Sequence, residues 1–188
     1  MSQRLLYLTR HGEQDPARPD GGLSQRGREQ AELLGQRLSG ADIGRIYESP
    51  LTRAAETASI VSRHLPAAER RLSDLVRDRT PVPSVDRRRE YPHRWLAWLD
   101  AVPADERDED ARALRQAFES LSIESDAGST DLVVTHNFVI GWFVREVLDA
   151  PSWRWMALHH DNCAVTAIRW DADRGPSLVA FNDTGHLR

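Results

Sequence analysis

The chain has 188 residues, 40% of them hydrophobic, with 10 prolines and 11 glycines spread along it, which suits one domain able to bury a full core. A formal net charge of −4 and a pI near 6.0 give no global attraction to nucleic acid or to an anionic membrane surface. All 25 basic residues are arginine, which excludes Schiff-base chemistry and a P-loop lysine, and the one cysteine, Cys163, excludes an internal disulfide and any multi-cysteine zinc site.

Leu5, Leu6, Tyr7, Leu8 and Thr9 read as a short apolar strand that delivers Arg10 and His11 into a turn at Gly12 and Glu13. A strand end is rigid, and open α/β sheets bind ligands at the carboxyl ends of their strands. A histidine held there can attack phosphorus while the neighbouring guanidinium grips phosphate oxygens. A hydrogen-bonded Arg–His pair in a loop is the plainer reading of the same residues. Residues 23–38 place Ala31, Leu34 and Leu38 on one helical face, with Ser24 as N-cap and Gly40 just past the end. Residues 43–47 read as a strand, followed by Ser49, Pro50 and a helix through Ala54, Ala55, Ala58, Ile60 and Val61. Arg53 falls in the first turn of that helix, where free N–H groups also favour an anion. A surface salt bridge to Glu56 is its plainer alternative.

Residues 74–91, with Pro81, Pro83 and nearby Pro92 among Arg77, Asp78, Arg79 and Arg87 to Arg89, read as an ordered insertion loop. A helical segment with Trp95 and Trp98 follows, then a long polar helix over about 104–121 through Leu114 and Phe118. Residues 131–135 are a buried strand that ends in His136 and Asn137, repeating the design of the N-terminus, and 138–148 an apolar helix. Strands over 162–170 and 178–182, joined by turn residues at 173–176, close the chain. Cys163 reads as a small buried residue in the first of these.

The alternation of strands and helices implies an α/β fold, a mostly parallel sheet covered on both faces in three layers. The expected organisation is one domain over 1–188 with an insertion region at about 74–122. The strand ends bearing Arg10 with His11 and Thr135 with His136 would share one rim. With a strand beginning by Arg4 and no stretch near the roughly 20 apolar residues of a membrane span, a soluble, cytoplasmic protein is expected.

Taken together, Arg10-His11-Gly12, the segment from Ser49 to Ala58 around Arg53, the Val134-Thr135-His136 strand end and Asn162-Cys163 resemble, in order, the histidine phosphatase superfamily of phosphoglycerate mutases and related phosphatases. The likeness runs from Arg4 nearly to the C-terminus. Within it, Gly27 to Glu32, Ile60 to Pro66, Leu75 to Asp78 and Asn182 to Gly185 are most similar to the mitochondrial serine/threonine protein phosphatase branch. This resemblance implies a phosphoglycerate mutase-like fold, His11 as nucleophile, Arg10 and Arg53 as phosphate ligands, His136 as a further ligand of the transferring group, and Asn137 as an added donor. It implies no metal and no cofactor, and a phosphorylated protein or small metabolite as substrate, while the charge balance leaves neither nucleic acid nor membrane as an expected partner.

The leaving alkoxide needs a proton, and at this step the chain departs from the family's usual glutamate. The aligned residue is Asp78, one methylene shorter and about 0.4 pKa units more acidic than glutamate; Asp74 is the fallback. Asn137 stands where many relatives have glycine. Gln14-Asp15-Pro16-Ala17 lacks the mutases' substrate-contacting asparagine, which argues against mutase activity. A mutase-type phosphotransferase and a catalytically weak phosphate-binding scaffold remain as alternatives. His159, His160 and Asp161 are poorly placed to share a metal, because neighbouring strand residues face opposite sides. Arg87 to Arg89 read as a solvated loop, Trp95 and Trp98 as packing, and Glu13 as support for the turn.

Overall fold

The apolar N-terminal run becomes β1 (Gln3–Arg10), and because strand side chains alternate, Leu6 and Leu8 enter one core while Tyr7 meets another on the opposite face. The computed structural model describes residues 3–123, 128–171 and 173–188. Helix α1 (Gln25–Leu38) starts at Ser24, whose hydroxyl accepts the Gly27 N–H, as expected of that cap. Then come β2 (Ile43–Glu48), α2 (Thr52–Ser62) and β3 (Glu69–Leu72). The insertion carries β4 (Thr80–Val82), α3 (His93–Asp100), β5 (Arg107–Glu109) and α4 (Arg112–Ile123). Strand β6 (Thr130–Thr135), α5 (Asn137–Val147), β7 (Val165–Asp171) and β8 (Gly175–Asp183) complete the chain.

The main sheet has the order β3-β2-β6-β1-β7-β8. Its first four strands are parallel, and β7 and β8 run antiparallel to their neighbours. Helices α1 and α2 pack Ala31, Leu34, Ala54, Ala58 and Val61 on one face, against Ile46, Leu132 and Val134. On the other face, α4 and α5 bring Leu114, Leu121, Val139, Ile140 and Phe143 onto Leu6, Leu8 and Val133. The result is the expected three-layer α/β arrangement.

Three elements differ from expectation. Strand β3 is new: all four of its residues are exposed, so no apolar alternation marks it, and its pairing with β2 alone defines it. The helix expected over 104–121 begins only at Arg112, because β5 takes 107–109 and pairs with β4, and Asp110 and Ala111 both adopt φ = 54°. The loop expected over 74–91 contains 3₁₀ turns at Asp74–Val76 and Val85–Glu90 besides β4.

Register sets up the site. Arg10 pairs with Thr135, and Glu48 with Val134, so β1, β2 and β6 end nearly level. The next residue of each strand is His11, Ser49 or His136, and the three gather on one rim.

Candidate active site

His11 is held from its backbone first. Its N–H donates to Thr135 O at 3.0 Å, tying the end of β1 to the end of β6. The following Gly12 N–H donates to Thr57 Oγ1 at 3.0 Å, and the Thr57 hydroxyl donates to Arg53 O at 2.7 Å. A Cβ on Gly12 would lie 2.4 Å from Gly27 O, so only glycine permits this approach between the turn and α1.

The His11 Nδ1 lies 2.7 Å from Gly12 O. A carbonyl only accepts, so the ring hydrogen belongs on Nδ1 and the lone pair on Nε2. Arg53 agrees with this assignment, its Nε–H donating to Nε2 at 3.0 Å. Burial lowers the His11 pKa to about 4, with the Arg53 and Arg10 charges adding to the shift and the Gly12 hydrogen bond opposing it. At neutral pH the ring is uncharged. The cause is chiefly desolvation, with the arginine charges a smaller contribution.

Arg53 spans two groups of the site, because its Nη2 donates to Asp78 Oδ2 at 2.8 Å. Asp78 reaches this position because Thr135 Oγ1 donates to Val76 O at 2.7 Å, pinning the insertion to the end of β6. Burial raises the Asp78 pKa, outweighing the pull of Arg53 in the other direction. Asp74 is elsewhere. It is an exposed partner of Arg77 at 2.6 Å and of Arg79, and those bonds hold it below the usual carboxylate range.

His136 is almost fully buried, with Nε2 2.7 Å from Ser49 Oγ and Nδ1 3.5 Å from Asp78 Oδ2. Its ring centroid is 5.2 Å from that of His11. Desolvation, then the neighbouring His11 and arginines, keeps its pKa well below the ordinary value. Arg10 donates through Nη1 to His160 O at 2.9 Å, and Asn137 opens α5 with its carboxamide oxygen accepting the His160 N–H at 2.9 Å.

The structure thus brings together His11, Arg10, Arg53, His136 and Asp78, with the Asn137 side chain turned to the main chain of His160. Glu56 pairs with Arg18 and Arg28, so the simple Arg53–Glu56 bridge is not formed. Arg87 bonds Glu90 and Ser152, Arg88 bonds Asp100, and Trp98 packs on Phe138 and Trp155. Glu13 does support the turn, accepting from the Ser24 hydroxyl. Cys163 is fully buried but lies in the turn before β7 with φ = 57°, not in the strand. Among the described residues no cluster of three or more His, Cys, Asp or Glu is arranged to hold a metal ion.

Ser49, Thr57 and Asn162, whose Nδ2 donates to His11 O at 2.7 Å, carry no role in the sequence analysis. Their signal is positional. Ser49 directly follows a strand, as His11 and His136 do, and Thr57 lies one helical turn beyond Arg53.

The sequence pattern of the histidine phosphatase superfamily (branch 1) matches residues 6–184. The chain is 32% identical over 189 residues to the serine/threonine-protein phosphatase Pgam5, mitochondrial, of Caenorhabditis briggsae, covering 99% of this chain and 65% of that protein. It is 31% identical over 196 residues to the Homo sapiens protein of that name, covering 98% and 64%. The chain therefore spans about two thirds of the length of these relatives, slightly less in both cases. Both are described as mitochondrial, and on that finding the cytoplasmic expectation is withdrawn. Among solved structures, Bacillus stearothermophilus YhfR superposes with a TM-score of 0.74 at 23% identity, covering 98% of this chain and 100% of that one. An Entamoeba histolytica phosphoserine phosphatase mutant superposes with 0.72 at 20% identity, covering 98% and 100%. These two likenesses establish the shared fold.

Proposed function

The chain belongs to the histidine phosphatase superfamily, and from that membership we propose that it is a phosphomonoester hydrolase working through a phosphohistidine on His11. The observation that carries the reading is the neutral His11 ring, fixed through Nδ1 with its Nε2 lone pair beside Arg53. Arg10 and Arg53 neutralise the phosphoryl oxygens, and the phosphoryl group takes the place of His11 Nε2 as partner of the Arg53 Nε–H. Nε2 attacks phosphorus in line. The bond from phosphorus to the ester oxygen breaks, and Asp78, protonated, gives its hydrogen to the departing alkoxide. Water then attacks the phosphohistidine, Asp78 takes a proton from it, the N–P bond breaks, and phosphate leaves with His11 restored.

His136 and the first N–H groups of α5 add donors to the same phosphoryl group. With positive charge supplied by two guanidinium groups, the cycle requires no metal ion. The substrate is a phosphorylated protein or a small phosphorylated metabolite, and the names of the curated relatives favour the former. The whole chain serves as one domain, with the insertion at about 74–122 delivering the acid.

The test is hydrolysis of p-nitrophenyl phosphate in excess EDTA by wild type, His11→Ala and Asp78→Asn. Wild-type turnover should survive EDTA, and His11→Ala should lose at least about 10³-fold in kcat, more than acid–base assistance alone supplies in many enzymes. Acid quenching should trap phosphate on wild-type protein and none on His11→Ala. Wild-type activity at the His11→Ala background would overturn the reading.

A further inference from the structure

The turn that precedes β7 touches the site at several points. His160 O accepts the Arg10 guanidinium at 2.9 Å, and the Cys163 N–H donates to Arg10 O at 2.9 Å. Asn162 Nδ2 donates to His11 O at 2.7 Å. The same turn is anchored on both sides: the His160 N–H donates to Asn137 Oδ1, while Asn182 Oδ1 accepts the Asp161 N–H at 2.8 Å and Asn182 Nδ2 donates to Asp161 Oδ2 at 2.9 Å. Cys163 and Asn182 adopt φ = 57° and 51°, a left-handed conformation that side-chain-bearing residues keep only where the surroundings impose it.

These bonds fall on the two groups whose placement matters most. The His11 ring is already fixed relative to its own backbone through Nδ1, so the position of Nε2 follows wherever the backbone at residue 11 is held. Asn162 holds it. A guanidinium is a planar fork, and fixing one N–H on the His160 carbonyl sets the plane in which the others are offered. That carbonyl shares its peptide plane with the Asp161 N–H, so its orientation is set by the bond from that N–H to Asn182 Oδ1, while Asn137 holds the preceding peptide through the His160 N–H.

We propose that residues 160–163 form a positioning strap, in which Asn162 places the attacking nitrogen of His11 and Asn182, acting through the peptide that joins His160 to Asp161, places the guanidinium of Arg10. This rests on the phosphohydrolase reading above. The two asparagines therefore have separable effects: Asn162 acts on attack, and Asn182 on affinity for the phosphoryl group. A merely structural role would not divide them.

The experiment compares wild type, Asn162→Ala, Asn137→Ala and Asn182→Gly by steady-state hydrolysis, competitive inhibition by inorganic phosphate and thermal unfolding. Asn162→Ala should lose about tenfold or more in kcat, since small misplacement of reacting groups costs that much, with the phosphate inhibition constant within about twofold of wild type. Asn182→Gly, which removes the hold on the Asp161 N–H while suiting the left-handed backbone, should weaken phosphate inhibition about tenfold and lower kcat less. Asn137→Ala, which loosens the strap one peptide away, should move both parameters the same way by smaller factors. Folded Asn162→Ala and Asn182→Gly proteins with wild-type constants, or with losses of the same proportion in both, overturn the strap. If either fails to fold, unchanged constants in Asn137→Ala overturn it instead. An inactive wild type refutes the hydrolase reading rather than the strap, and calorimetric titration with inorganic phosphate then decides, equal affinity of wild type and Asn182→Gly counting against it.

Discussion

Asp78 is a short acid in a half-buried place. Moved from water into the site, its carboxyl is pushed up by burial and only partly pulled back by Arg53, so a larger fraction is protonated near neutral pH than for a free aspartate. The environment thus offsets part of the acidity that aspartate has over glutamate. An alkyl phosphate, whose leaving group needs a proton, should lose about 10²-fold in kcat in Asp78→Asn, while p-nitrophenyl phosphate should lose much less. On the alkyl ester, wild-type activity should decline as pH rises through the elevated Asp78 pKa and also decline below about 4, where His11 takes a proton. Asp78→Asn should lack the first decline, and retention of it in that variant would assign the limb to another group. The gathering of His11, Arg10, Arg53 and His136 at one rim is legible in the sequence because each ends, follows or opens a regular element. Asp78 and Asp74 are four positions apart in an irregular stretch, so no periodicity separates them. What separates them is the Thr135–Val76 hydrogen bond and the surrounding arginines, which only the folded chain displays.

The elements that the sequence reveals are those whose pattern is made locally. Helix α1 shows its cap and its apolar face, β1 and β6 are apolar runs, and α5 buries an unbroken stretch from Val139 to Val144. The insertion hides its design because its decisive group lies outside the usual cap position: Asp108, buried, accepts the Ala113 and Leu114 N–H groups at 3.0 Å through its two carboxylate oxygens. These are donors of the first turn of α4 that the helix cannot satisfy itself. A polar stretch through 104–121 with helix-forming residues looks like one long helix, but Asp108 starts it at Arg112, while Asp110 and Ala111 turn left-handed before it. Asp108→Ala leaves those N–H groups without this partner and should destabilise the protein by about 1–2 kcal/mol. Chemical denaturation would register this as a lower midpoint at unchanged slope. Stability equal to wild type would mean that neighbouring groups replace the cap. Strand β3 is illegible for another reason: its four exposed residues bury nothing, and only the β2 edge recruits them.

The site also shapes how the whole protein responds to acid. His11 and His160 are held at pKa values of about 4, in each case chiefly by burial, and His136 lies well below its ordinary value. In the unfolded chain these rings titrate near 6.5. Between the two values the unfolded state binds more protons than the folded one, so stability falls as pH drops from about 6.5 towards 4 and is fully present above 7. Each such histidine contributes a slope of up to about 1.4 kcal/mol per pH unit in that window. Asp78 acts in the opposite sense, since its raised pKa favours proton uptake by the folded state and offsets part of the loss. His160 allows the sum to be divided. Its ring is buried against Phe181 at 4.8 Å, and neither ring nitrogen has a partner among the described residues, whereas its peptide N–H and carbonyl make the contacts to Asn137 and Arg10. His160→Phe preserves those main-chain bonds and removes one titrating group. Unfolding free energies at pH 7 should then be equal to or above wild type, and the decline between pH 6.5 and 4 should be shallower by one proton's worth. If the variant declines as steeply as wild type, the acid sensitivity belongs to other groups, first among them the lowered histidines His11, His136 and His186, and burial of the His160 ring carries no share of it.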